Sequence, residues 1–163
     1  MQIEKPNTSN YFAFYELPVA FAIDEPVLKQ LYLNKSKIYH PDFYSDNIED
    51  QAIAIATSSF NNNAFKTLSN PISRAQYIVD LQADLNEQTV QLPNDFLMEM
   101  MDLNEALETE EASIPEALQK QIGSYKQDVF DLIQAHALAQ DWVNTQMALL
   151  KWRYLERLEQ RLR

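Results

Sequence analysis

Apolar residues recur along the chain at three- and four-residue spacing, the period of a helix, in segment after segment. Tyr11, Phe12, Phe14, Tyr15 and Leu17 cluster ahead of Pro18, which predicts a brief helix pinned to a core. Asp24 can cap a second helix, with Pro26 tolerated in its first turn. Leu28, Leu31, Tyr32 and Tyr39 keep helical spacing until Pro41 stops the helix, and residues 45–50 read as a polar loop. Ile53, Ala56, Phe60, Ala64 and Leu68 fall on one face of a third helix. Asn70 and Pro71 read as the cap and first turn of a fourth, short helix bearing Tyr77, Ile78 and Leu81. The pattern predicts two long antiparallel helices, with His40, Pro41 and Asp42 at the turn between them.

The second half continues in the same period. Asn94 can cap a helix running to about residue 111, with apolar residues on two faces. Phe96, Met100, Leu103 and Leu107 lie within roughly 60° of one another, a stripe sufficient for a core. Leu97, Met98 and Met101 lie well away from that stripe, and Glu105 and Glu108 continue their face. A two-faced helix in a small bundle has either two buried sides or a docking surface. Ser113, Pro115 and Glu116 form a capping box with a first-turn proline. The helix they open carries Leu118, Ile122, Tyr125, Val129 and Leu132 in register, and His136 continues the stripe as a packed or edge histidine. A last helix from about Asp141 places Val143, Met147, Leu150, Tyr154 and Leu158 at bundle spacing.

Composition narrows the chemistry. The chain has 163 residues, enough for one ordinary domain or two small ones, and a single glycine, Gly123. Phosphate-binding loops and tight β-hairpins need several glycines, so both are excluded. Gly123 falls inside a predicted helix, where close helix packing would account for it. The absence of cysteine removes disulfides and thiolate ligation and fits a reducing compartment. The N-terminus lacks signal-peptide character and no apolar run reaches spanning length, which predicts a soluble, cytoplasmic chain without a membrane partner. A net charge of −11 disfavours nucleic acid as a partner. The charge is uneven: residues 1–81 hold 6 bases and 9 acids, residues 82–163 hold 7 and 15, and bases crowd the C-terminal segment. These shifts predict domains at 1–81 and 94–163 with a linker at 82–93, and the basic tail lying beside the acidic first helix of the second half.

The run Tyr39-His40-Pro41-Asp42 after a lysine-bearing helix, followed by a second long helix, resembles the J-domain of DnaJ-type co-chaperones. More narrowly it resembles the J-domain of HscB-type co-chaperones of iron–sulfur cluster assembly, with support from Asn10-Tyr11-Phe12, Leu17-Pro18, Ile23-Asp24, Thr67-Leu68 and Arg74-Ala75. The resemblance implies an all-α protein, an N-terminal J-domain followed by a C-terminal three-helix bundle. It implies docking on a DnaK/HscA-type ATPase chaperone through His40, Pro41, Asp42, Lys29 and Lys37. Pro41 stiffens such a turn, and Asp42 offers a fixed carboxylate to an arginine. The sequence departs from the family where the partner-facing helix usually presents several bases. Here Lys29, Lys35 and Lys37 are the only ones, and Phe43 stands where a basic residue commonly follows the motif. Lys35 falls on the apolar stripe, where its stem can pack and its head snorkel out.

The second half also resembles the HscB family, in Phe96-Leu97-Met98-Glu99 and in Trp152-Arg153-Tyr154-Leu155. The resemblance implies an IscU-type scaffold as the second partner, bound through Leu97, Met98, Met101, Glu105 and Tyr154. The implied protein is an adaptor with no catalytic residue, cofactor or metal of its own. One alternative is a J-domain co-chaperone serving a different client. Another, a metal-dependent helical hydrolase, would need clustered ligands, and His40 and His136 are far apart in sequence.

Overall fold

The computed structural model describes residues 3–82, 90–108 and 114–161, and every regular element among them is helical. In order these are α1 (Tyr11–Phe14), α2 (Glu25–Ile38), a 3-10 turn (Pro41–Tyr44), α3 (Ile48–Ser69), α4 (Pro71–Leu81), α5 (Asn94–Glu108), α6 (Ile114–Leu138) and α7 (Trp142–Arg161). The chain divides into two compact units, Met1–Ile78 and Val79–Arg163. That division falls within α4, ahead of the expected linker at 82–93, of which residues 83–89 lie outside the described residues.

In the first unit α2 and α3 form the expected antiparallel hairpin. Asp24 accepts from the Val27 N–H at 3.0 Å and Pro26 occupies the first turn, as the sequence predicts. Contacts across the hairpin step in opposite directions: Ser58 meets Tyr39, Asn61 meets Ser36 and Phe65 stacks on Tyr32. Helix α3 begins earlier than expected. Asn47 caps it by accepting from Glu49 and Asp50 N–H groups, so residues 48–50 of the expected loop are helical.

The buried side of α3 is Asp50, Ala54, Thr57, Asn61, Ala64 and Leu68. Only Ala64 and Leu68 of the expected stripe lie on it; Ile53 and Phe60 are half-buried and Ala56 is exposed. The reason is a buried polar hub. Asn61 donates through Nδ2 to the Tyr32 carbonyl (3.1 Å) and Ser36 Oγ (2.9 Å), and its Oδ1 accepts from Tyr15 Oη at 2.7 Å. One amide thereby joins α2, α3 and the end of α1, and burial pushes the Tyr15 phenol well above its ordinary pKa.

Around the hub lie Phe12, Phe14, Leu28, Leu68, Ala75 and Ile78, all essentially inaccessible. Tyr11 stacks on Tyr77 (4.5 Å) and its N–H donates to Tyr77 Oη at 2.9 Å, fastening α1 to α4. Arg74, buried in α4, donates to the Leu68 carbonyl and sits 5.0 Å over the Phe21 ring, and burial lowers its pKa. Asn70 accepts from Ser73 N–H as the expected cap of α4.

In the second unit α6 and α7 form an antiparallel hairpin and α5 packs on α6. Residues 109–113, including Ser113 of the expected capping box, lie outside the described residues. Asn94 is the first residue of α5 and not its cap: the Pro93 carbonyl accepts the first helical bond, from Leu97 N–H. The α6 stripe runs Leu118, Ile122, Val129, Ile133 and Ala137, so it steps to Ile133 and leaves Leu132 exposed. A helix of period 3.6 advances by three or four residues, and after Val129 the sequence offers an apolar residue at both.

In α7 the buried residues are Thr145, Gln146, Ala148, Leu149, Leu155 and Leu158. The expected line is displaced around the axis: Val143 is exposed, and Met147, Leu150 and Tyr154 flank the core. Asp141 caps α7 through Asn144, and those hydrogen bonds, with nearby His136, hold its carboxyl below the usual range.

Scarce glycine leaves a mark at two helix ends. Glu16 and Gln140 have φ of 58° and 57°, the left-handed region that favours glycine. Each closes a helix with a wide-looped bond, Leu17 N–H to Phe12 O and Asp141 N–H to His136 O. Gly123 meanwhile serves no close packing, contrary to expectation, because a Cβ there would meet nothing within 4 Å. Gly123→Ala and Gln140→Gly are each expected to raise stability by about 0.5–1 kcal/mol, and additively, because the sites are roughly 25 Å apart along α6. Urea unfolding monitored by circular dichroism checks this. Asn61→Leu is expected to cost about 2–4 kcal/mol by leaving buried partners unsatisfied, and the same melts measure it.

Candidate functional site

The first candidate surface is the turn after α2. Tyr39 is buried there, its hydroxyl donating to the Glu4 carbonyl (3.3 Å) and its own carbonyl accepting from Ser58 Oγ (2.8 Å). Tyr44 returns from the far side of the turn to donate to the Ile38 carbonyl at 2.8 Å. With Tyr39 and Tyr44 as inward anchors, His40, Asp42 and Phe43 face outward. His40 caps the 3-10 turn: its Nδ1 accepts from Asp42 N–H at 3.3 Å, and Pro41 holds the first position.

The Asp42 side chain is 86% exposed, with His40 Nδ1 3.7 Å from its Oδ2. The turn therefore holds the Asp42 backbone through His40 and leaves its carboxylate exposed beside the imidazole. Lys37 is exposed in the last turn of α2, beside the motif. Lys29 is exposed eight residues earlier, roughly 12 Å along the helix axis, so it flanks the turn at a distance. Lys35 lies on the apolar stripe as expected, but its head does not snorkel out: its Nζ is 5.1 Å from the buried Phe14 ring.

The second surface lies on α5. Phe96, Met100 and Leu103 are buried as expected, and Leu107 is only half-buried. Met98 and Met101 are 66% and 67% exposed, Leu97 is half-buried and Glu105 is exposed. Within this unit one side of α5 is core, and the side bearing Met98 and Met101 is open to solvent. Tyr154 comes to α5 from α7, its ring edge-on to Phe96 at 6.1 Å, and Lys151 stands 5.2 Å over the same ring. Tyr154 is half-buried and packs on the core residue that precedes Leu97; among the described residues no hydrogen bond or ring contact joins it to Leu97, Met98 or Met101.

Basic residues of α7 do lie beside acidic α5, as the charge split predicts. Arg161 donates to Asn104 and its Nη2 is 3.6 Å from Glu108 Oε1. Sequence reasoning missed a groove of about 630 Å³ at the edge of Met98, where Leu132 and Val129 of α6 meet a rim of Glu99 and Asp102. The helical period places Leu132 in the core, and only the alternative step to Ile133 in the sequence points to its release. Ile48, exposed at the start of α3, was likewise hidden by the loop reading, although Asn47 two residues ahead of Glu49 is a capping signal.

His136 is half-buried with Nδ1 3.8 Å from Asp141 Oδ2, an edge histidine, and it lies in the other unit from His40. Among the described residues no helix is long and apolar enough to cross a membrane, and no three His, Cys, Asp or Glu side chains gather as metal ligands.

Residues 92–163 match the family described as the HscB C-terminal oligomerisation domain. A Haemophilus influenzae protein named a co-chaperone protein HscB homolog is 34% identical, over 94% of this chain and 92% of its own length. The chain belongs to the HscB co-chaperone family. The solved HscB chaperone from Vibrio cholerae superposes with a TM-score of 0.75 at 26% identity, covering 94% of both chains. The human HscB co-chaperone shares the fold, with a TM-score of 0.83 at 23% identity over 99% of this chain and 84% of its own. The all-helical architecture is that of HscB proteins, a J-like helix hairpin followed by a C-terminal helical domain, and the family's members are co-chaperones.

The two sides of α5 are expected to separate on substitution. Met100→Ala should cost about 2–5 kcal/mol of stability through a cavity, whereas Met98→Ser and Met101→Ser should each stay within about 0.5 kcal/mol of the parent. Chemical denaturation of the three variants checks this.

Proposed function

We propose that the protein stimulates the ATPase of a DnaK/HscA-type chaperone and delivers an IscU-type scaffold to it during iron–sulfur cluster assembly. The observation that carries the reading is the braced, outward-facing His40-Pro41-Asp42 turn in a unit of its own, coupled in one chain to the open Leu97-Met98-Met101 face. A single chain holding both partners raises their effective concentration for each other and links scaffold delivery to ATP hydrolysis. The chain itself supplies no catalytic residue, cofactor or metal; the nucleotide chemistry belongs to the ATPase. The reading places the protein in the cytoplasm with that partner.

At the first site Asp42 offers its free carboxylate to a guanidinium of the chaperone, a charge-assisted pair whose geometry the turn already holds. His40, by accepting from Asp42 N–H, holds the backbone that carries that carboxylate, and Lys37 and Lys29 add flanking positive charge. At the second site Met98 and Met101 provide flexible, polarisable contact area suited to an irregular partner surface. Burying two such side chains contributes on the order of 3–6 kcal/mol before association costs. Leu97 and Tyr154 complete the apolar area, and Glu105 sits at its acidic rim.

Asp42→Asn is expected to abolish stimulation of the purified chaperone's ATPase while scaffold binding, read by calorimetry, stays at the parent level. Leu97→Ala combined with Met98→Ala should weaken scaffold binding at least about tenfold and leave scaffold-independent stimulation intact. Unchanged stimulation in Asp42→Asn overturns the first assignment. Stimulation without scaffold binding assigns the co-chaperone to a different client.

A further inference from the structure

Three large apolar side chains stand uncovered at the end of the hairpin that carries Asp42. Ile38, the last residue of α2, is 55% exposed; Phe43, inside the 3-10 turn, is 74% exposed; Ile48, the first residue of α3, is 85% exposed. They come from three successive elements at one end of the hairpin, and none has collapsed inward. The turn is not loose, since Tyr44 and Tyr39 hold it from within. Their exposure is therefore a property of a fixed surface. Single exposed apolar residues need no explanation, but three bulky ones gathered around one turn mark a contact surface.

The charge around them points the same way. Between residues 25 and 50 the exposed charged side chains are two bases, Lys29 and Lys37, against four acids, Glu25, Asp42, Asp46 and Glu49. Lys35 is drawn onto Phe14 and Asp50 is buried. The segment packed against Tyr39 adds one exposed residue of each sign, Glu4 and Lys5, so this end of the molecule carries no net positive charge to steer it onto an acidic partner. Long-range attraction between exposed charges weakens within a Debye length of about 10 Å at 0.1 M salt, and here there is little of it to weaken.

We propose that this chain docks on its ATPase chaperone mainly through an apolar contact, with Phe43 as the anchor and Ile38 and Ile48 beside it. The inference rests on the chaperone reading above and specifies how that site recognises its partner. The occupant follows from continuity. Phe43 is the next residue after Asp42, its ring centroid lies 5.6 Å from that of His40, and a partner that reaches the Asp42 carboxylate covers it. An aromatic ring with two rotatable bonds, desolvated at the centre of a contact and ringed by polar groups, is the usual composition of an energetic centre in an interface. Asp42 then supplies direction and Phe43 supplies affinity.

The test uses the full-length protein and its purified DnaK-type chaperone, reading ATPase stimulation against co-chaperone concentration from 0.1 to 0.5 M KCl. For the parent, the half-maximal concentration is expected to change less than about twofold across that range, where a charge-steered contact would weaken severalfold. Phe43→Ser is expected to raise it about tenfold or more, with maximal stimulation retained at saturation. Phe43→Lys discriminates by sign: an apolar contact weakens, whereas a charge-steered one tightens as the added base meets an acidic partner. Ile38→Ser should act in the same direction as Phe43→Ser and more weakly, and unchanged thermal melts confirm that both variants fold. A steep loss of affinity with salt, no effect of Phe43→Ser, or tighter docking by Phe43→Lys overturns the apolar contact and leaves the chaperone reading standing. No stimulation by the parent at any salt concentration overturns both.

Discussion

The first unit depends on one buried amide. The apolar contacts between α2 and α3, made by alanines, leucines and stacked rings, are non-directional and would tolerate a slide of one helix along the other. Hydrogen bonds are directional, and Asn61 makes them to Tyr32, Ser36 and Tyr15 at once. That set has one register in which every member is satisfied. In that register Ser58 reaches the Tyr39 carbonyl, and the end of α2 and the turn beyond it have a fixed place. The position of Asp42 in space is thus decided some 20 residues away along α3, by a polar group in an otherwise apolar interior. A buried network of this kind specifies one arrangement at the cost of leaving no tolerance for a missing partner.

Much of this was legible in the sequence, for identifiable reasons. Caps are local, so Asp24, Asn70 and Pro26 announced their helices correctly. The two faces of α5 were visible because Met98 and Met101 sit far around the axis from Met100. What failed was the assignment of faces that depend on a partner helix. On α3 the apolar period pointed to Ile53, Ala56 and Phe60, and the fold instead buries Thr57 and Asn61, because a buried amide is acceptable only when residues remote in sequence satisfy it. No window of sequence around Asn61 contains Tyr15 or Tyr32. On α6 the sequence offered Leu132 and Ile133 together, and only packing against α7 selects between them. Phe43 was legible as a departure from the family pattern, but neither its exposure nor the company it keeps with Ile48 was, since that required knowing how the turn folds and where α3 begins.

The second unit pairs some of its acids within its own fold. Lys126 lies 2.8 Å from Glu159 and 4.5 Å over the Trp152 ring, and Arg161 meets Asn104 and Glu108. Such pairs at the surface contribute about 0–1 kcal/mol each. Their larger consequence is arrangement: Arg161 of α7 faces Glu108 at the end of α5, and Met98, Met101 and Glu105 on α5 stay open to solvent. The open side of α5 is therefore apolar with an acidic margin, a surface that neither of the other two helices covers.

The brace around the His40-Pro41-Asp42 turn has a consequence in entropy. A loop of this length left free would have to surrender backbone freedom on meeting a partner, at about 1–2 kcal/mol for each residue ordered. Here folding has already ordered it: Pro41 fixes its own backbone angle, His40 closes the turn through Asp42 N–H, and Tyr44 and Tyr39 tie both flanks to helices. Association then draws only on side-chain freedom, so a small contact area suffices for a specific complex that can also dissociate quickly. Under the proposed function, in which the chain binds an ATPase chaperone and releases it again, such a site has a use.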